Sequence, residues 1–193
     1  ISWGVESFLD EIADQMGQDP VAMRMGLLDG AGKNAGGDGS TVGGAKRLAA
    51  VLKDVSDRAG WGREMPVNEG LGVAVGHGQE RGMPTWIACV AHVLVDPSSG
   101  DVTLKKLWQT IDVGTVVNPD GAMAQAEGAA LWGVSLALHE GAQFANGEVL
   151  EQNLDRYTPL RMSDVPELDI AFVDSDEFPS GFGEPPLIPV APA

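Results

Sequence analysis

Basic residues are scarce in this chain of 193 residues: 12 Lys and Arg stand against 28 Asp and Glu, a formal net charge of −16. So acidic a chain repels phosphate backbones and anionic membrane surfaces, which argues against nucleic acid as a partner. Cysteine is nearly absent. Cys89 stands alone, so the chain can form no internal disulfide and can hold no iron–sulfur cluster on its own thiolates. Long apolar runs are missing as well. The stretch from Trp86 to Val95 falls far short of the roughly 20 residues that cross a bilayer, and no charged and apolar leader opens the chain. The sequence therefore predicts a soluble protein with no membrane-spanning segment and no targeting signal of its own.

The signatures of several chemistries are also lacking. His77, His92 and His139 lie far apart and match no metal-ligand spacing, and His139-Glu140 lacks the second histidine of HExxH. No GxSxG elbow is present. The stretch GHGQERG at 76–82 is not a GxGxxG opening a helix, so it fails as a phosphate loop. No metal ligated directly by protein side chains is expected. Cys89, in the middle of an apolar run, reads as an inert buried thiol.

What is present is glycine and proline, 26 and 12 of them, within a composition whose 44% hydrophobic content suits a packed domain. Val5, Phe8, Leu9, Ile12 and Met16 recur at helical spacing, with Glu6, Asp10, Glu11 and Asp14 on the other faces, which predicts a surface helix with one buried stripe. Asp19 and Pro20 form a cap and first position for a second short helix. Residues 29–44 are too glycine-rich for regular structure and predict a flexible exposed loop. Leu48, Val51, Leu52, Val55 and Ala59 predict a third helix ending near Gly60 or Gly62. From Gly70 the period changes to strands around 73–75, 86–95 and 102–113, with DPSSGD at 96–101 as a turn. The apolar run TWIACVAHVLV calls for a sheet covered on both faces. Asn118, Pro119 and Asp120 open the longest helix, expected to reach His139, and Ala122, Ala126, Ala129, Gly133 and Ala137 give it a small-residue stripe that another backbone or a ligand could approach closely. Asn146-Gly147 predicts a hairpin, residues 168–173 a strand, and GFGEPPLIPVAPA a proline-punctuated end. Grouped helices and hairpin-linked strands predict an α+β fold with a mixed or antiparallel sheet.

Two residues carry a choice of readings. Gln125 lies one turn from both Ala122 and Ala129, where its amide either faces solvent or meets a planar ligand edge; the neighbouring Glu127 reads as a solvated acid. Glu184 sits between Gly183 and Pro185-Pro186, a rigid turn that holds a carboxylate either as a structural loop residue or as a proton acceptor facing a cavity.

Taken in order, IDVGTVVNPDGAMAQAEGAALWGVSLAL at 111–138 and GFGEPPLIPVAPA at 181–193 resemble the C-terminal part of the molybdenum-cofactor subunit of the xanthine dehydrogenase and aldehyde oxidase family. ESFLDEIADQMGQDPVAMRMGLL at 6–28 and RLAAVLKDVSDRAGWG at 47–62 are similar to helices of the same family. The direct passage from Trp61-Gly62 to GLGVAVGHG, together with LEQNLDRYTPLRMSDVPEL at 150–168, resembles the isoquinoline 1-oxidoreductase β-subunit type, an arrangement shared by related bacterial aldehyde dehydrogenases. The resemblance implies the C-terminal portion of a molybdopterin-binding domain, helical over 1–62, with strands, the AQxEG helix and the GxGEPP loop over 69–193. It implies a molybdopterin cofactor, as the cytosine dinucleotide, that oxidises an N-heterocycle or an aldehyde with water-derived oxygen. Glu184 matches the family's general base, and Gln125, with Gly183, matches its cofactor contacts. Electrons would leave through [2Fe–2S] clusters on a partner subunit. The remainder of the molybdenum subunit would supply the other cofactor loops, so the chain is expected to be a fragment, or one piece of a split subunit, inactive in isolation. A non-catalytic scaffold piece of such a complex is the alternative.

Overall fold

The computed structural model describes residues 1–28, 44–80, 83–181 and 183–193. Four helices, α1 (Ser2–Met16), α2 (Pro20–Leu28), α3 (Gly44–Ala59) and α4 (Pro119–Leu138), pack with a sheet built from β1 (Glu69–Glu80), β2 (Met83–Val95), β3 (Val102–Asp112) and β6 (Glu167–Phe172). Two short strands, β4 (Phe144–Ala145) and β5 (Glu148–Val149), form the Asn146-Gly147 hairpin, with positive φ at both turn residues. The sheet order is β1-β2-β3-β6. The first three strands run antiparallel, whereas β6 lies parallel to β3 after a crossover that contains α4.

Alternation along the strands sorts the core into two layers. Trp86, Ala88 and Val90 of β2, with Val73 and Trp108, meet the Val51, Leu52, Val55 and Ala59 stripe of α3. On the opposite face Cys89, Ala91 and Leu107 meet Ala130 and Val134 of α4 and Val190, while Ile87, Ile111 and Val113 meet Ala126. Both faces of β2 are therefore covered, as its unbroken apolar run requires.

Helix ends follow their local chemistry. Asn118 Oδ1 accepts the Gly121 N–H ahead of the proline at the first turn of α4, and Asp19 Oδ1 accepts the Ala22 N–H at α2. Gly60, at φ 63°, closes α3.

Two expectations are corrected. The glycine-rich stretch 29–43 lies outside the described residues, but Gly44 belongs to α3 as its first residue and is buried, so the loop does not reach that far. The apolar stripe of α1 does not face the core: Val5, Phe8 and Met16 are more than half exposed, while Glu6 and Ala13 are buried. The reason is electrostatic. Arg24 of α2, 2% exposed, donates from Nε to Glu6 Oε2 at 3.1 Å, from Nη1 to Asp10 Oδ1 at 2.6 Å and from Nη2 to the Glu6 carbonyl at 3.0 Å. The Val75 N–H of β1 donates to the same Glu6 oxygen at 2.8 Å. A buried guanidinium needs such partners on every side, and meeting them turns the acidic face of α1 inward. No helix among the described residues is long and apolar enough to cross a membrane.

Candidate active site

The chain's last residues cross the sheet face that α4 also covers, and glycines make the room. A Cβ on Gly78 would lie 2.6 Å from Pro185 Cγ, one on Gly76 2.9 Å from Ile188 Cγ2, and one on Gly133 of α4 2.7 Å from Val190 Cβ. At Gly133 the small stripe of α4 is met by the chain's own C-terminal segment, while Ala126 packs against the sheet residues Ile87 and Ile111. Ala122, Ala126, Ala129 and Gly133 are buried, and Ala137 at the far end is exposed. The alternating glycines of GLGVAVGHG clear one side of β1 for that segment, a period-of-two signal that the phosphate-loop comparison passed over.

Within this segment a 3₁₀ turn, Pro185–Leu187, follows directly on Glu184. Leu187 N–H donates to the Glu184 carbonyl at 2.9 Å and Ile188 N–H to the Pro185 carbonyl at 3.0 Å. Side chains from three elements hold the carbonyls around the turn. Thr85 Oγ1 of β2 donates to the Gly181 carbonyl at 2.6 Å, Gln125 Nε2 of α4 to the Gly183 carbonyl at 2.5 Å, and Gln109 Nε2 of β3 to the Pro186 carbonyl at 2.6 Å. Further back, the Ser180 N–H donates to the Val113 carbonyl at 2.8 Å and Thr115 N–H to the Glu177 carbonyl at 2.9 Å. The backbone on either side of Glu184 is fixed, while its side chain makes no cap bond and is exposed.

Gln125, Gly183 and Glu184 are therefore brought together, Gln125 and Gly183 by direct contact. Glu127 is exposed on the same helix. The histidines do not join them: His92 Nε2 lies 2.6 Å from Glu69 Oε2, His77 stacks on Trp86 with centroids 5.5 Å apart, and His139 ends α4. Cys89 is fully buried beside Gln109, and burial pushes its thiol well above the ordinary range. Gln109 itself was not singled out from the sequence, although one amide inside an otherwise apolar strand is the mark of a buried polar group with a dedicated partner.

The donor set limits what this site can hold. Among the described residues no group of three or more His, Cys, Asp or Glu could hold a metal ion. Open space lies beyond Gly183, where a Cβ would meet nothing within 4 Å, and beside it stand an exposed amide and an exposed carboxylate. The arrangement leaves room there for the edge of a larger ligand beside an amide and a carboxylate. A separate cleft of about 280 Å³, lined by Val113, Thr115, Asn118, Gly121 and Ser180, lies at the start of α4.

Comparison with known proteins agrees with the resemblance drawn from the motifs. The family model described as molybdopterin cofactor-binding domain matches residues 47–166, from α3 through α4 to the edge of β6. Over the whole chain, identity is 51% with the membrane-bound aldehyde dehydrogenase (pyrroloquinoline-quinone) of Gluconacetobacter polyoxogenes and 31% with the isoquinoline 1-oxidoreductase subunit beta of Brevundimonas diminuta. The chain spans 25% and 23% of their respective lengths. The fold is that of the aldehyde oxidoreductase from Desulfovibrio gigas, with a TM-score of 0.73 over 97% of this chain and 37% of that one at 14% identity. The chain belongs to the molybdopterin cofactor-binding domain family of the xanthine dehydrogenase and aldehyde oxidase type.

Proposed function

We propose that this chain is the C-terminal portion of the molybdopterin-binding part of a molybdenum hydroxylase, with Glu184 as general base and Gln125 and Gly183 at the cofactor. The observation that carries the reading is the turn at 183–187: its flanking carbonyls are fixed by Gln125 and Gln109, and its one carboxylate points away from the core. A base needs a defined position before it needs anything else. When bound, the cofactor supplies the redox chemistry by which a substrate carbon is oxidised with oxygen derived from water. Glu184 holds and moves the proton that this oxidation releases. Gln125 gives one amide proton to the Gly183 carbonyl, and its remaining polar atoms are available to orient the cofactor edge. The higher identity to an aldehyde dehydrogenase than to an isoquinoline enzyme favours an aldehyde over an N-heterocycle as substrate.

The short span of the relatives' length and the exposure of Gln125 and Glu184 support a further part of the reading: the rest of the molybdenum subunit closes the site. In the same reading, following the family resemblance, the cofactor is the cytosine dinucleotide form and [2Fe–2S] clusters on a partner subunit accept the electrons.

Elemental analysis of the natively purified complex, combined with Glu184→Gln, tests this. Molybdenum is expected in the parent and unchanged in the variant, with turnover lowered by roughly 100-fold or more, as for loss of a general base. Absence of molybdenum from the parent would overturn the reading, and pyrroloquinoline quinone, sought by its own absorbance, would then follow the name of the aldehyde dehydrogenase relative. Unchanged turnover in Glu184→Gln would leave the scaffold reading.

A further inference from the structure

We propose that Gln109 is a positioning residue for the turn that carries Glu184, supplying the N–H that this turn lacks at Pro189. The inference rests on the reading of Glu184 as the base.

The turn's own ladder shows the gap. Carbonyls 184, 185 and 187 accept from the N–H groups of Leu187, Ile188 and Val190, at 2.9, 3.0 and 3.2 Å. By the same spacing of three, the Pro186 carbonyl would accept from residue 189, and residue 189 is proline, which has no N–H. Pro186 is buried, so water does not take the place of that donor. Gln109, wholly buried in β3 and 77 positions away, donates instead, Nε2 to the Pro186 carbonyl at 2.6 Å. Its amide orientation follows, since the reverse would set two acceptors against each other. Oε1 is buried and unpaired among the described residues, and the amide's remaining neighbour is the Cys89 thiol on β2. A buried amide kept with one end unsatisfied is costly, and the contact it makes is two residues from Glu184. The rigid sheet thereby sets the height of the turn above β3, while Gln125 sets its other side through Gly183.

The test uses the complete enzyme containing this chain. Gln109→Met keeps the volume, removes the unpaired oxygen and leaves Pro186 without its donor. Molybdenum content is expected to stay at the parent level, kcat to fall about tenfold with KM within about twofold, and amides in peptides covering 183–190 to exchange faster. Adding Pro189→Ala restores a backbone N–H at the vacant step and is expected to recover both kcat and slow exchange, which a mere packing role for Gln109 does not predict. The proposal is overturned if exchange over 183–190 is unchanged in Gln109→Met, or if the losses persist in the double variant. It is also overturned if kcat is unchanged while Glu184→Gln is inactive. If Glu184→Gln is itself active, the reading of Glu184 fails, and the exchange comparison, which needs no turnover, still decides the role of Gln109.

Discussion

Arg47 and Asp112, 65 positions apart, meet as a two-pronged ion pair, Nε to Oδ2 at 2.7 Å and Nη2 to Oδ1 at 2.5 Å. Asp112 Oδ1 also accepts the Gly114 N–H at 3.0 Å. The pair joins the first turn of α3 to the end of β3, where the chain leaves the sheet for the segment that holds Ser180 and opens α4. The two side chains are 15% and 5% exposed, so removal of one partner strands a charge out of water.

Arg47→Met is accordingly expected to lower stability by about 2–4 kcal/mol, near the range for breaking a buried pair. Asp112→Asn, which keeps an oxygen for Gly114, should cost less. Urea midpoints at constant slope measure both. Equal losses would mean that the retained oxygen contributes nothing without the carboxylate's charge.

Glycines on α4 divide by what lies over them. At Gly133 a methyl group would lie 2.7 Å from Val190 Cβ and 3.1 Å from the Leu187 carbonyl, whereas at Gly128 it would meet nothing within 4 Å. Gly128→Ala should therefore stabilise by about 0.5–1 kcal/mol through helix propensity alone. Gly133→Ala should destabilise by about 1–3 kcal/mol as the C-terminal segment is pushed off its seat, and in the complete enzyme it should lower turnover with it. Stabilisation by both would show that the segment yields freely and does not fix Glu184.

How much of this was legible in the sequence depended on the range of the interaction. Helix caps, the 96–101 turn and the Asn146-Gly147 hairpin are local and read directly. The strands read from their apolar runs. Gln125 and Glu184 read as paired candidates through motif order, but their meeting point did not, because a hydrogen bond between positions 125 and 183 leaves no periodic trace. Gln109 was missed for the same reason, its partner being a carbonyl, which every residue has. Helix α1 misled outright: its apolar stripe is the stronger pattern, yet Arg24 outweighs it.

That buried guanidinium gives a direct prediction. Arg24→Leu leaves Glu6, 5% exposed, facing the sheet without its countercharge, and should cost about 3–5 kcal/mol. Glu6→Gln keeps an oxygen for the Val75 N–H and for Arg24 and should cost less. If the double variant Arg24→Leu with Glu6→Leu is as stable as the parent, the pair serves to orient α1 rather than to stabilise it; its measured value sets the net worth of the pair.

Tyr157 is the chain's one tyrosine, and its hydroxyl donates to Glu140 Oε2, while Ser135 Oγ donates to Glu140 Oε1 at 2.5 Å. Ser135 Oγ in turn accepts the Leu160 N–H at 2.9 Å. The group ties the end of α4 to the loop that leads into β6. The hydrogen bond from Ser135, and next that from Tyr157, hold the Glu140 carboxyl below its ordinary range. The bond to Glu140, followed by desolvation and the carboxylate's charge, raises the phenol above its ordinary 10.0. The signs oppose. The carboxylate's share of stability is present above the ordinary carboxylate range and lost as pH falls through its lowered value. The phenol's share is present below the ordinary tyrosine value and lost as pH climbs through the raised one. Because no other tyrosine contributes, phenolate absorbance of the 193-residue chain reports Tyr157 alone. Its midpoint should lie above 10.0 and move down in Glu140→Gln, where the charge is gone. A midpoint unmoved by that substitution would show that the contact is not made in solution.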